Sequence, residues 1–99
     1  MTVVYPEKAE AEALRMAEIA KALGDPIRMR IIDALRRQDD RVCVCELEPL
    51  FEVSQPTLSH HLKVLREAGI VTSEREGVWA YYRVSDEALD DLSAWLGGA

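Results

Sequence analysis

Apolar side chains recur every three or four residues in four stretches of this chain, and helix-capping residues mark where these stretches begin and end. The first stretch covers residues 7–23 and stops at Gly24, a residue typical of helix C-termini. The second starts at Asp25-Pro26, which suits an N-cap followed by the first helical position, and its apolar residues repeat to about residue 37. This pattern predicts two N-terminal helices.

The third stretch predicts a helix with two different faces. Ser54 is a good N-cap, Pro56 falls in the first turn, and Gly69 suits the C-terminal end. Its apolar stripe consists of Leu58, Leu62 and Leu65. The fourth stretch, residues 86–96, follows the N-cap candidate Ser85 and predicts a last helix.

The remaining segments predict a short helix and a β-hairpin. Pro49 would break a helix interior, so a short third helix should begin at Cys45 or Glu46, after an extended segment at residues 42–44. Two β-rich runs flank Glu76-Gly77 as a hairpin would. The predicted fold is a mainly α winged helix-turn-helix with element order ααααββα and a candidate short strand before the third helix. Its parts are one domain over residues 1–99, a helix-turn-helix at about 45–68, a wing at about 70–84, and dimerisation helices at about 7–23 and 86–96.

From the composition we expect a cytoplasmic and dimeric protein. Ninety-nine residues make one small domain, and neither a membrane-length apolar run nor a charged-then-apolar leader is visible. A small domain with surplus apolar helix positions favours a twofold dimer. Those positions are Leu14, Ile19, Leu89, Leu92 and Leu96. The net charge of −6 does not exclude DNA binding, because residues 53–84 are locally basic, with four Lys and Arg residues against three Glu.

The polar face of the fourth helix and the wing are the candidate DNA-binding surfaces. Short hydrogen-bonding side chains in the N-terminal half of a capped helix after a tight turn are typical of a major-groove reader, although a solvated helix face looks similar. In the wing, arginines could reach phosphates or neutralise Glu74 and Glu76 across the hairpin. The predicted DNA contacts are Gln55, Pro56, Thr57, Ser59, His60, Lys63, Arg75 and Arg83.

Three other side chains in the fourth helix and the wing are assigned to packing rather than to DNA binding. His61 borders the apolar stripe of the fourth helix, so we expect it to be partly buried. Trp79 and Tyr81 alternate in a strand, which predicts that both lie on one face and belong to the core.

Cys43 and Cys45 are the only cysteines, and three interpretations of them are open. In a reducing compartment we expect free thiols, which would bind a metal ion or act as redox thiols, whereas two small apolar residues would simply pack. Chelation requires Cys43 to lie outside the helix, because side chains two residues apart share a side only in extended backbone. No glycine-rich phosphate loop, nucleophile elbow or metal-ligand trio points to an enzyme.

Four motifs together resemble the ArsR/SmtB family of bacterial winged-helix metal-responsive repressors. They are Leu23-Gly24-Asp25-Pro26-Ile27-Arg28, Val42-Cys43-Val44-Cys45-Glu46-Leu47, the run from Val53-Ser54-Gln55 to His60-His61-Leu62, and Tyr81-Tyr82-Arg83. The resemblance covers nearly the whole chain. It implies a homodimer that sits on operator DNA and leaves it when an ion binds.

The resemblance further implies As(III) or Sb(III) as the inducer, held by Cys43 and Cys45. The arsenite-responsive pattern has a third thiol where this chain has Glu48, a hard and poor substitute for the third thiolate that these ions prefer. Two protein thiolates with a small-molecule thiol or hydroxide would complete the ligand set. Cadmium and lead sensors of the family add cysteines from an N-terminal arm, and zinc sensors use histidines on the last helix; this chain has neither. The alternatives are a thiol-redox-responsive or a cadmium- or lead-responsive repressor on the same scaffold, or a ligand-independent DNA-binding module.

Overall fold

Five helices and three short strands make up the fold in a computed structural model that describes residues 2–98. Met1 and Ala99, the ends of the predicted domain, lie outside the described residues. The elements are α1 (Glu7–Leu23), α2 (Pro26–Arg36), β1 (Val42–Cys43), α3 (Val44–Leu47), a 3-10 turn (Glu48–Leu50), α4 (Gln55–Glu67), β2 (Val71–Glu76), β3 (Trp79–Val84) and α5 (Asp86–Trp95). The candidate strand before the third helix is therefore present.

The predicted caps set the limits of α2 and α4. Asp25 Oδ1 accepts hydrogen bonds from the backbone N–H groups of Ile27 and Arg28, at 2.8 and 3.2 Å. Ser54 Oγ accepts from the backbone N–H of Thr57 at 3.3 Å. Each cap satisfies N–H groups that have no partner within the helix. At the other end of α4, Gly69 adopts a φ of 77°, a left-handed conformation that glycine takes without strain.

The three strands form one antiparallel sheet in the order β1-β3-β2. Strands β2 and β3 are joined by the two-residue turn Gly77-Val78, with Glu76 opposite Trp79 and Gly77 at a φ of 62°. On the far side of β3, Cys43 pairs with Tyr81, which in turn pairs with Glu74 of β2. The hairpin is thus the predicted wing, and β1 joins it to the helix-turn-helix.

The hydrophobic core lies between the helices and the inner face of the sheet. The predicted stripe of α4 is fully buried there, together with Ile31 and Leu47. Two residues predicted for a dimer contact, Ile19 and Leu92, also belong to this core. Helical periodicity identifies an apolar face but does not say whether it packs within the chain or against a second copy.

Two further expectations are corrected by the structure. Helix α3 begins at Val44 rather than at Cys45 or Glu46, and Pro49 lies in the 3-10 turn that follows it. Trp79 is not in the core, since it is 49% exposed at the start of β3.

Within residues 2–98, no helix is both long enough and apolar enough to cross a bilayer.

Candidate nucleic-acid interface and cysteine site

The predicted DNA-binding side chains of α4 all lie on the surface. Its buried positions are Leu58, His61, Leu62 and Leu65. The exposed ones include Gln55, Pro56, Thr57, Ser59, His60 and Lys63. Lys63 lies 3.8 Å from Glu67 in an exposed ion pair, which leaves its ammonium group accessible to phosphate. The Thr57 hydroxyl accepts from Ser54 Oγ at 2.9 Å and keeps its own proton to donate.

His61 is buried, as expected, and it joins α4 to the start of α2. Its Nδ1 lies 3.4 Å from an Arg28 guanidinium nitrogen and 4.0 Å from Asp25 Oδ1. Burial acts to raise the pKa of Asp25, but hydrogen bonds from the Arg28 and Ile27 N–H groups and the charges of His61 and Arg28 outweigh it and lower that pKa. The same carboxylate therefore caps α2 and faces the inner side of α4.

The two wing arginines are placed differently. Arg75 is exposed and forms no ion pair with any residue in 2–98, so its guanidinium is available for DNA. Arg83 lies 3.1 Å from Asp40 and 3.9 Å from Glu74, so it is partly committed to neutralising carboxylates. The Arg83 side chain is still exposed, and its contact with DNA phosphate stays a prediction.

Arg41 is a residue that the sequence reasoning missed. Its guanidinium lies 3.2 Å from Glu74 and 2.6 Å from Glu76, and it stacks 4.2 Å from the centre of the Tyr81 ring. The hydrogen bond to Glu76 and the charges of Glu76 and Glu74 raise the pKa of Arg41 despite partial desolvation. The only sequence signal was its position two residues before Cys43, on the same side of an extended segment.

The cysteines lie at the junction of β1 and α3. Cys43 has extended backbone (φ −65°, ψ 139°) and is the N-cap of α3, outside the helix as chelation requires. Its Sγ accepts from the Cys45 N–H at 3.3 Å, and its own N–H donates to Glu46 Oε1 at 3.2 Å. The sulfur that would bind an ion is therefore also the acceptor that starts α3.

The two sulfur atoms are paired as a disulfide, with the Cα atoms 5.2 Å apart, so the prediction of free thiols is wrong for this structure. Extended Cys43 and first-turn Cys45 direct their side chains to the same side of the junction. Cys43 is 4% exposed, whereas Cys45 is exposed. Packing alone does not account for an exposed cysteine.

Glu48 lies at the C-terminal end of α3. It follows the last residue of α3 and begins the 3-10 turn, whereas the carboxylate at the start of α3 is that of Glu46. Across residues 2–98, no group of three His, Cys, Asp or Glu side chains is arranged to hold a metal ion. The chain alone thus offers two soft donors.

The comparisons with known proteins agree on a family. Residues 25–73 match the family described as bacterial regulatory protein, arsR family. The arsenical resistance operon repressor of Bacillus subtilis is 41% identical over 87 residues, covering 87% of this chain and 82% of the repressor. The arsenic resistance transcriptional regulator ArsR1 of Pseudomonas putida is 39% identical over 94 residues, 95% of this chain and 73% of that protein.

A solved structure supports the same fold. The homodimeric winged helix-turn-helix DNA-binding domain of a Mycobacterium bovis protein matches with a TM-score of 0.75, covering 96% of this chain and 87% of that one at 23% identity. That likeness shows the architecture, and the two sequence relatives show kinship. The chain is a winged helix-turn-helix protein that belongs to the ArsR family of bacterial regulatory proteins.

Proposed function

We propose that this chain is a cytoplasmic homodimeric repressor that binds operator DNA through α4 and the wing, and leaves it when As(III) or Sb(III) binds Cys43 and Cys45. The observation that carries the proposal is the placement of both cysteine side chains on one side of the β1–α3 junction, at the start of the helix-turn-helix. Its relatives include two regulators of arsenic resistance.

The donor set fits a thiophilic ion. Once reduced, Cys43 and Cys45 supply two soft thiolates, and Cys45 is exposed to incoming ligands. A thiolate at a helix N-terminus is favoured by the helix dipole. Since no group of three His, Cys, Asp or Glu side chains within residues 2–98 is arranged to hold an ion, a small-molecule thiol or hydroxide completes the coordination.

The same contacts explain how binding would reach the DNA-reading helix. Cys43 Sγ caps α3, and Cys43 N–H donates to Glu46, so an ion that repositions this sulfur alters the cap at the start of α3. Helix α3 has four residues and little stability of its own. A changed first turn therefore shifts α3 and the turn that leads to Ser54 and α4.

Dimer formation is part of the proposal because apolar side chains remain uncovered on α1 and α5. Leu14 is 62% exposed and Leu96 is 69% exposed, and Trp95 next to Leu96 is exposed as well. Helices α1 and α5 contact each other, so these side chains belong to one region of the fold. Two copies joined there would present two α4 helices to a palindromic operator.

The test uses TCEP-reduced protein and a duplex of about 30 base pairs, selected by the wild-type chain from a random pool. Arsenite should release wild type from the duplex, whereas the Cys43→Ser/Cys45→Ser variant should bind the duplex normally and stay bound. Linkage requires arsenite to bind the DNA complex more weakly by the same coupling energy, typically about 1–3 kcal/mol. Release of the double variant at wild-type arsenite concentrations would place the sensing site elsewhere.

Two further arms of this experiment define the ligand set. Glu48→Cys should tighten arsenite binding by supplying a third thiolate, and Glu48→Ala, its matched control, should change release little. Parallel titrations with antimonite, cadmium, lead and zinc identify the preferred ion. Strong release by cadmium or lead but not by arsenite would favour that alternative repressor class.

The paired sulfurs favour a second candidate function, a thiol-redox repressor on the same scaffold. In that case an oxidant would join Cys43 and Cys45 with loss of two electrons and two protons, and the disulfide form would differ in duplex affinity. Thiol titration separates the candidates: arsenite protects both thiols reversibly in an ion sensor, whereas only oxidation changes DNA binding in a redox switch. A ligand-independent module would respond to neither treatment.

A further inference from the structure

One arginine joins the segment before the cysteines to the wing. Arg41 contacts Glu74 and Glu76 of β2 and the ring of Tyr81 in β3. Its side chain is 23% exposed, whereas every other arginine and lysine in the ion pairs of residues 2–98 is 48–73% exposed. Partial burial and stacking make this arginine the most firmly held of them.

The sheet register places Arg41 beside the cysteine site. Cys43 is the strand partner of Tyr81, and Tyr81 is the partner of Glu74, so these three side chains lie in one row on one face of the sheet. Arg41 precedes Cys43 by two residues and lies over the middle of that row. A displacement of Cys43 along or away from β3 therefore moves the guanidinium relative to both wing carboxylates.

The charges explain what such a movement would do. Glu74 and Glu76 are the chain neighbours of Arg75 in β2 and lie on the opposite face of that strand, and two uncompensated carboxylates in the wing would repel DNA phosphates. Arg41 pairs with both of them, and Arg83 adds a contact to Glu74 alone. The wing's electrostatic compatibility with DNA thus depends on an arginine that is not itself in the wing.

We propose that Arg41 is a positioning residue that neutralises the wing carboxylates Glu74 and Glu76 for DNA binding and couples the wing to the state of Cys43. Its coupling role rests on the proposed ion-responsive function. Its neutralising role requires only that the chain binds DNA.

A double-mutant cycle tests the neutralising role, with the selected duplex and wild-type protein as reference. Arg41→Gln should weaken binding about tenfold, since it frees two carboxylates near phosphate. Adding Glu74→Gln/Glu76→Gln should restore most of that loss, and the same pair of substitutions in the presence of Arg41 should improve binding much less. Arg37→Gln, which breaks the exposed pair with Asp33 at the end of α2, is the control of equal charge.

The outcomes of the cycle are distinct. An equal gain from Glu74→Gln/Glu76→Gln in both backgrounds would mean that charges act independently and would overturn the role of Arg41. If Arg37→Gln lowered the duplex affinity as much as Arg41→Gln does, that result would also overturn the role of Arg41. A wild-type chain that retains no duplex overturns the proposed function and, with it, this inference.

Trp79 reports the coupling without DNA. It lies opposite Glu76, and Trp95→Phe leaves it as the only tryptophan. Arsenite added to the reduced Trp95→Phe protein should change Trp79 emission, and this change should fall by at least half when either Arg41→Gln or Glu74→Gln/Glu76→Gln is added. Thiol protection by arsenite should be the same in all three proteins.

These readouts keep the two proposals apart. Protected thiols with an undiminished Trp79 response in both added variants would refute the coupling through Arg41 and leave the ion site standing. Unprotected thiols in the parent protein would refute the ion site and the coupling together, with the neutralising role still decided by the DNA cycle. Using variants on both sides of the contact keeps the test valid if one of them folds poorly.

Discussion

Replacing Ser54 with alanine should lower the stability of the protein by removing the N-cap of α4. Ser54 Oγ accepts from the Thr57 N–H at 3.3 Å and donates to the Thr57 hydroxyl at 2.9 Å, and alanine makes neither contact. Loss of a serine N-cap costs about 0.5–2 kcal/mol. Both residues are exposed, so water partly replaces the lost bonds, and we expect a cost of about 1 kcal/mol.

The assay is thermal unfolding followed by circular dichroism, at one fixed protein concentration because a dimer's midpoint depends on concentration. For a chain of this size, about 1 kcal/mol lowers the Tm by about 4–8 °C. Ser59→Ala is the matched control: its hydroxyl lies on the exposed side of α4 beyond the capped turn, so it should leave the Tm unchanged or raise it slightly. Equal Tm values for the two variants would refute the reasoning that Ser54 is the cap on which α4 depends.

Three other predictions concern DNA binding, the dependence of stability on pH, and dimer formation. His60→Ala should reduce discrimination between selected and random duplex by about 1–3 kcal/mol, while Arg75→Ala weakens both alike and lowers the salt dependence; unchanged binding in both variants would mean that this surface does not touch DNA. The Asp25 carboxylate has a lowered pKa in the folded chain, so its contribution is complete above its ordinary value of 3.8 and is lost as pH falls below it; the urea-midpoint advantage of wild type over Asp25→Asn should therefore shrink on acidification, and a constant advantage contradicts the assignment. Leu14→Glu with Leu96→Glu should give monomers in sedimentation at micromolar concentration, and an intact dimer would place the interface elsewhere.

The parts of the fold that local chemistry dictates could be predicted from the sequence. Asp25 and Ser54 each supply an oxygen to nearby N–H groups, and Gly69 and Gly77 take the positive φ that their turns need, so these limits depend on neighbouring residues only. The β-branched residues at 42–44 predict an extended segment, which the structure has at Val42–Cys43. Its pairing with β3 rather than β2 depends on the folded chain and could not be derived locally.

The candidate site was predictable in kind but not in its contacts. Alternation correctly put Trp79 and Tyr81 on one face, yet it could not say that this face is the outer one, where Arg41 covers Tyr81 and leaves Trp79 exposed. The pairing of Arg83 with Asp40 spans 43 positions in the chain and leaves no local signal. Likewise, no signal in the local sequence indicates that Cys43 is buried and Cys45 is exposed.

The two-residue length of β1 bears on how fast an ion can reach Cys43. Because only two residues pair β1 with β3, we expect β1 to open at a free energy below that of global unfolding, although this opening exposes Val42 of the core. Under the proposed function, exposed Cys45 meets the ion first, and buried Cys43 follows when β1 opens. The speed of response is then governed by the fraying of two residues and not by the stability of the protein.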